Sequence, residues 1–279
     1  MSRLSYNTRT MSDRLPISVF IIAKNEADRI PAALRAVRDW ADEVIVIDSG
    51  SEDDTVAVSE SLGARVVFNA WRGYGPQKVF GEGQCRNAWL LNIDADEEIS
   101  PELAGEIRRL FAQGEPDCAA YTVPILPLYP FQERGHPWTA FHHPVRLYRR
   151  DKAGFKDALV HDSVVVRQGR IGHFKGMVVH RSFRSLAHHV DKVNGYSSAQ
   201  AEDLVNKGRD PSWLSLLLLP AVAFFKQYVL RREFANGIDG IVVSHMYAFQ
   251  RFIRLAKARE LNRLRRRAAS GAEDGQGRV

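Results

Sequence analysis

The chain has 279 residues, 45% hydrophobic and 26% charged, with a net charge of +6. That balance excludes a disordered or low-complexity protein, and the length is enough for one large domain or two smaller ones. Two cysteines, Cys85 and Cys118, exclude a disulfide framework and give no zinc-ligand spacing, so a reducing compartment such as the cytoplasm is expected.

The opening MSRLSYNTRTMS is polar and basic and lacks the apolar core of a secretory signal. Residues 1–14 are therefore expected to form a disordered leader. LPISVFIIA (15–23) is a β-branched apolar run, long enough for a buried strand and short for a helix. KNEADRIPAALRAVRDW then places Ile30, Ala33, Leu34 and Val37 on one helical face. EVIVIDSG (43–50) predicts a second strand ending in Asp48, TVAVSESLGA a helix stopped near Gly63, and RVVF (65–68) a third strand. Alternating strands and helices predict a parallel sheet with helices on its faces.

AWLLNI (88–93) predicts a fourth strand, and Ser100-Pro101-Glu102 opens a helix with an N-cap, a proline and an early acid. Beyond residue 115 the rhythm changes to extended, proline-broken segments, with ALVHDSVVV (158–166) as another strand. PSWLSLLLLPAVAFFKQYVL (211–230) is apolar but short for a bilayer span and contains a proline. IVVSHMYAFQRFIRLAKA (241–258) is amphipathic and runs into RELNRLRRR. Aromatic and basic residues on such a helix pair suit a layer of lipid headgroups, or else a hairpin packed on the domain.

In an open parallel sheet, ligands bind at the carboxyl ends of the strands. Asn25 and Glu26 follow the first strand, Asp48 ends the second and Asp94 ends the fourth, a set suited to a nucleotide. A diphosphate cannot meet a carboxylate directly, so Asp94 and Asp96 in DADEE point to a bridging Mg²⁺ or Mn²⁺. Alternation in an extended segment turns the two toward one side. Glu97 and Glu98 read as solvated charges leading into the next helix.

SVFIIAKNEADRI, EVIVIDSGSEDDT and WLLNIDADEEI resemble the signature segments of inverting, nucleotide-sugar-dependent glycosyltransferases of family 2, which have the GT-A fold. The resemblance runs over roughly residues 16–205 and includes GYGPQKVFGEGQCRNAW (73–89), LVHDSVV (159–165) and VVHRSFRS (178–185). Together with WLSLLLLP, FANGIDG and the basic end, it is most similar to the lipopolysaccharide-core β-glucosyltransferase branch. It implies a GT-A domain over 15–205, a helical, basic, membrane-associating region over 206–267 and a disordered tail over 268–279.

By the same resemblance, Asn25, Glu26 and Asp48 contact the nucleoside of a UDP-sugar. Asp96 is the principal metal ligand, and Asp94 binds ribose or metal. His180 is either a third metal ligand or a strand-end histidine satisfied by hydrogen bonds. Lys78 either meets the diphosphate or is a solvated surface lysine. Asp162 is either the catalytic base, since acids held by a cation cannot take the acceptor's proton, or a strand-edge Asp with no chemistry. Two positions depart from the family: Ser49 follows Asp48 where a second acid is common, and Asp162 stands where close relatives carry Glu. The implied partners are a UDP-sugar, a lipid-linked saccharide acceptor and an anionic membrane at the cytoplasmic face of the inner membrane, with no nucleic acid. A polyprenyl-phosphate sugar synthase would share the nucleotide residues but need no base. A non-catalytic membrane or nucleic-acid binder would use the basic end alone. A nucleotidyltransferase would carry a Gly-rich loop where this chain has AKNEADRI.

Overall fold

A computed structural model describes residues 14–130, 132, 134–140, 142–156 and 163–276. The expected leader falls almost entirely outside the described residues, as does Asp162. The described chain forms two compact units. One contains residues up to Pro127 and Ala140–Arg181, the other Leu128–Thr139 and the chain from Ser182 onward.

The first unit is built on β1 (Leu15–Ala23), β2 (Ala41–Asp48), β3 (Arg65–Phe68) and β4 (Trp89–Asp94), with α1 (Ile30–Val37), α2 (Thr55–Ser61) and α3 (Tyr74–Gln84) between them. Further on come β5 (Glu97–Ile99), α4 (Pro101–Ala112), β6 (Ala120–Thr122), β7 (Ile125–Pro127), β8 (Val145–Arg149), β9 (Ala153–Phe155), β10 (Val164–Val166), β11 (Ile171–His173) and β12 (Val178–His180). The main sheet runs β11-β6-β8-β4-β1-β2-β3. Strands β4, β1, β2 and β3 pair in parallel, whereas β8 runs antiparallel to both β4 and β6. It is thus a mostly parallel mixed sheet flanked by helices, as the sequence predicts. A second small sheet joins β5, β12 and β7, with β12 antiparallel to β5.

Strand β1 is central and buried on both faces, which its unbroken apolar run requires. Ile17, Val19 and Ile21 pack with α1 residues Ile30, Leu34 and Val37 and with Leu103 and Ile107 of α4. Phe20 and Ile22 face the other way, toward Ile45, Ile47, Tyr148 and Phe155. On this second side lies α3, a helix its sequence hides, since Gly75, Pro76, Gly81 and Gly83 all read as breakers. Gly81 explains one of them: a Cβ there would stand 2.8 Å from Phe20 Cδ2 and 3.2 Å from Ile47 Cγ1. Helix propensity gives way to a close helix–sheet approach that only glycine permits. Helix α4 starts as predicted, with Ser100 Oγ accepting from Leu103 N.

The second unit is helical: α5 (Leu186–Asn206), α6 (Trp213–Phe225) continuing through a π turn (Lys226–Leu230), a 3-10 turn (Glu233–Asn236) and α7 (Gly237–Gln276). The helical region begins earlier than position 206, because Ala201 and Val205 of α5 pack with Ala258 of α7. It also ends later: α7 continues to Gln276, past the start of the expected disordered tail at 268. The stretch Trp213–Leu230 is 18 residues long with a mean hydropathy of 1.6 and only 11% buried. By length and composition it reaches the threshold for crossing a membrane, which Pro220 does not prevent, since the helix runs through it.

Glu233 anchors this unit from a fully buried position. Tyr129 Oη donates to its Oε1 at 2.7 Å, Gln227 Nε2 to the same oxygen at 3.0 Å, and Asn236 Nδ2 to Oε2 at 2.8 Å. Neutral donors satisfy both oxygens, which a buried carboxylate needs. Gln132 Nε2 adds a bond to Asp239 at 2.8 Å, so the segment around 128–139 is held by polar side chains from two turns of the helical unit.

Candidate active site

The carboxyl ends of β1 and β2 are laced together before any ligand is considered. Asn25, with φ of 56°, donates its N–H to Ser51 Oγ at 2.9 Å, and its Oδ1 accepts from Glu52 N at 2.8 Å. Asn is among the few residues that tolerate this left-handed backbone. Glu26 N donates to Thr55 Oγ1 at 2.7 Å and Ala27 N to Asp53 Oδ2 at 3.2 Å. Asp48 is 4% exposed. Its Oδ2 accepts from Gly50 N at 2.8 Å and Ser51 N at 3.0 Å, and its Oδ1 accepts from the Ser51 hydroxyl. Asp48 therefore first shapes its own turn, and only its remaining lone pairs are left for a nucleoside.

At the end of β4 the chain turns through Asp94, Ala95 and Asp96 into β5. Asp94 N donates to Glu97 Oε2 at 2.9 Å, which folds the turn tightly. Lys78, 2% exposed on α3, brings Nζ to 3.0 Å from Asp94 Oδ1, and Arg146 Nη2 lies 3.7 Å from Asp94 Oδ2. Lys78 is thus an interior cation, which removes the solvated-surface alternative. Arg146, on β8, also binds Glu97 through Nη2 and donates from Nη1 to Asn92 Oδ1 at 3.1 Å. Glu97 is 2% exposed in a strand. The expectation that it is a solvated charge before a helix is wrong, because the Arg146 guanidinium compensates its burial.

The second acid has its own cations. Arg29 Nη1 lies 3.3 Å from Asp96 Oδ2 while its Nε and Nη2 hold Glu26 at 2.7 and 2.6 Å. Arg29 Nη1 also donates to Arg181 O at 2.9 Å. His180, on β12, places Nε2 3.4 Å from Asp96 Oδ1. Arg29 is thus the link that joins the Glu26 loop to the Asp96 turn. Neither Arg29 nor Arg146 is singled out by sequence reasoning, since each reaches the Asp94–Glu97 turn across a large chain separation.

The electrostatics follow. Burial alone would push the Asp94 carboxyl up, but Lys78 and Arg146 overcome it and hold the group well below the usual range. Burial likewise raises Asp96, and His180 with Arg29 brings it down. Glu97 goes the other way, raised by burial beyond what Arg146 offsets. Burial lowers His180, yet Asp96, Glu97 and Asp94 together raise it. Three carboxylates and three permanent cations thus share one strand end.

Among the described residues, no group of three His, Cys, Asp or Glu side chains is placed to hold a metal ion. The donor set nonetheless fits a hard divalent cation of the kind that uses one or two carboxylates and takes its remaining oxygens from phosphate and water. Asp94 Oδ1 is buried and faces the Lys78 ammonium at 3.0 Å. Asp94 keeps 31% of its side-chain surface accessible, against 14% for Asp96. The more open of two paired acids is the carboxylate such an ion would use.

Comparison with known proteins gives a consistent picture. The model of the family described as Glycosyl transferase family 2 matches residues 18–168. A Rickettsia bellii protein named as an uncharacterized glycosyltransferase is 43% identical over 255 residues, 88% of this chain and 87% of its own. The lipopolysaccharide core biosynthesis glycosyltransferase LpsC of Rhizobium meliloti is 29% identical, covering 92% of this chain and 97% of the relative. Among solved structures, TarS 1–349 of S. aureus overlaps 90% of this chain and 92% of its own at 13% identity, with a TM-score of 0.44.

Proposed function

The chain belongs to glycosyl transferase family 2 and is a glycosyltransferase, and from that premise we propose that it moves a hexose, preferably glucose, from a UDP-sugar to a lipid-linked saccharide. The acceptor in this reading is the lipopolysaccharide inner core, met at the cytoplasmic face of the inner membrane. The observation that carries the proposal is the strand end where Asp94 and Asp96 meet Lys78, Arg146 and Arg29. The name of the Rhizobium meliloti relative supports the acceptor class, and the exposed apolar α6 supports a membrane-borne one.

In this reading Asn25, Glu26 and Asp48 bind the nucleoside, with Arg29 setting the position of Glu26. Lys78 and Arg146 receive negative charge from the diphosphate. Asp96 and Asp94, with His180 beside them, would hold Mn²⁺ or Mg²⁺, which would neutralise the leaving diphosphate. Asp162, which lies outside the described residues, is proposed as the base. The acceptor oxygen forms its bond to the anomeric carbon as the bond to the diphosphate oxygen breaks. The hydroxyl proton goes to the Asp162 carboxylate, and UDP departs with the bonding pair. One displacement inverts the anomeric centre.

The test separates the two roles. Asp96→Ala is expected to lower transfer by about a thousandfold or more and to abolish Mn²⁺-dependent stabilisation by UDP in thermal unfolding. Asp162→Asn is expected to stop transfer while the UDP-and-Mn²⁺ shift in Tm stays intact. Equal loss of nucleotide binding in both variants would refute the division. Full activity of Asp162→Asn would point to a phosphate acceptor that needs no base.

A further inference from the structure

The helical unit holds a second concentration of charge, in which cations predominate. Tyr247, Arg251 and Arg254 stand four and then three residues apart on α7, and so share one face. Arg251 Nη2 lies 3.3 Å from the Tyr247 hydroxyl, and its Cζ is 5.5 Å from the ring centroid. Arg231 Cζ lies 5.4 Å from the same ring. Lys226 is exposed on the π turn, which packs against α7. The ion pairs described in this unit join Lys207 to Asp203 and Arg266 to Asp210. Among the described residues, no carboxylate pairs with Lys226, Arg251 or Arg254.

Two further observations show that the cluster is electrostatically open. Arg254 Nε is buried and has no hydrogen-bond partner. Burial and the like charge of Arg251 push the Arg254 guanidinium down from its ordinary value. Burial raises the Tyr247 hydroxyl, but the Arg251 hydrogen bond and the charges of Arg251, Arg231 and Lys226 outweigh it and bring it down. Like-charged Arg251 and Arg254, with no carboxylate paired to either among the described residues, raise the energy of the fold unless an anion joins them. Several cationic donors on neighbouring faces suit a phosphate better than a carboxylate, which offers fewer acceptor oxygens.

What surrounds the cluster identifies the anion's carrier. Phe225 and Val229 flank Lys226 in the chain and are exposed, as are Leu217 and Val222 further up α6. A soluble phosphate gains nothing from an apolar border. An anionic lipid brings both charge and hydrocarbon, with its phosphate above its acyl chains.

We propose that Lys226, Arg251 and Arg254, with the Tyr247 hydroxyl, form a phosphate site for an anionic membrane lipid whose hydrocarbon meets the apolar face of α6. The proposal deepens the membrane reading given above and rests on it. The site binds the headgroup phosphate of a lipid in the bilayer and fixes where α6 sits at the surface. Its chemistry is distinct from that of the strand end, where carboxylates already pair with the cations.

Flotation of the full-length chain with vesicles tests it. The vesicles are phosphatidylcholine alone, phosphatidylcholine with phosphatidic acid, and phosphatidylcholine with oleate at matched surface potential. The wild-type chain is expected to partition most strongly to phosphatidic acid. Arg251→Gln/Arg254→Gln is expected to weaken that partitioning about tenfold to thirtyfold. Arg263→Gln/Arg267→Gln removes the same charge from exposed positions on the same helix and is expected to weaken it about threefold or less. Arg251→Lys/Arg254→Lys, which keeps the charge and guards against a folding defect, is expected to retain oleate binding and lose the preference for phosphate. Equal losses in the two Gln pairs, or no preference for phosphatidic acid over oleate, would overturn the site while leaving membrane binding intact. No partitioning of the wild-type chain to any vesicle would overturn the membrane reading itself, and this proposal with it.

Discussion

The two charge clusters of this protein are built on opposite plans. Around Asp94 and Asp96, Lys78, Arg146 and Arg29 stand within ion-pairing distance of the carboxylates, and most of these groups are buried. Around Tyr247, cations gather at a half-exposed surface with no described carboxylate among Lys226, Arg251 and Arg254. The first arrangement is compensated, so its side chains are held in place before a substrate arrives, as a preorganised site requires. The second is uncompensated and gains most from an anion. Burial decides between the plans, since an unpaired charge is tolerable near water and severely costly inside.

Removing one arginine from each cluster tests that contrast most strongly. Arg146→Ala strips the partner from buried Glu97 and from Asp94, and is expected to cost about 3–5 kcal/mol in urea unfolding. Adding Glu97→Leu, with Arg146→Met in place of Ala, is expected to restore much of that loss, because both buried charges are then gone. Arg251→Ala removes a cation from a repulsive group and is expected to change stability by no more than about 0.5 kcal/mol. Similar costs for both single variants would mean that the clusters do not differ in kind.

A smaller effect probes the packing that supports the compensated site. Lys78 reaches Asp94 from α3, and α3 lies close to the sheet only because residue 81 has no side chain. Gly81→Ala forces the new methyl against Phe20 and Ile47, and is expected to cost about 1–3 kcal/mol. Because α3 carries Lys78, the variant is also expected to raise the KM for the nucleotide sugar more than it lowers kcat. A stable variant with unchanged kinetics would detach Lys78 from the site.

The legible parts of this structure were those fixed by short-range pattern. Strands β1 and β3 fall at the predicted residues, and Ser100 caps α4 as its sequence indicates. The acids at the strand ends could be read because a parallel sheet brings such ends together whatever the intervening chain. Helix α3 was illegible, since its glycines serve a contact with Phe20 that no local window contains. Arg146 and Arg29 escaped notice for a related reason: an arginine in a strand or a loop looks solvated until its acid, distant in the chain, is placed beside it. Glu97 was misread as the mirror image of that error. A run of four carboxylates in five positions looks like a solvated face, yet alternation buries one of them against a cation.

The smallest expected effect separates the units by pH. In the helical unit His189 stacks on Phe183 with ring centroids 3.6 Å apart. Burial, with the positive charges of Lys192 and His188, lowers its imidazole to about 4. Between that value and the ordinary 6.5 the unfolded chain holds the proton more tightly than the folded one. The stability His189 permits is therefore complete above 6.5 and is lost as pH falls toward 4. Because the ring is only half-buried, solvent screening limits the loss to about 1 kcal/mol. Asp94 and Asp96 respond differently: their carboxyls are lowered, so what they contribute persists down to the ordinary carboxylate range and is lost only below it. Hydrogen exchange at pH 7 and pH 5, corrected for intrinsic rates, is expected to show α5 amides losing protection while β1 and β4 keep theirs. His189→Gln is expected to abolish the change in α5, because a side chain that does not titrate cannot couple folding to the proton. Persistence of that change in the variant would assign the acid sensitivity of the helical unit to another group.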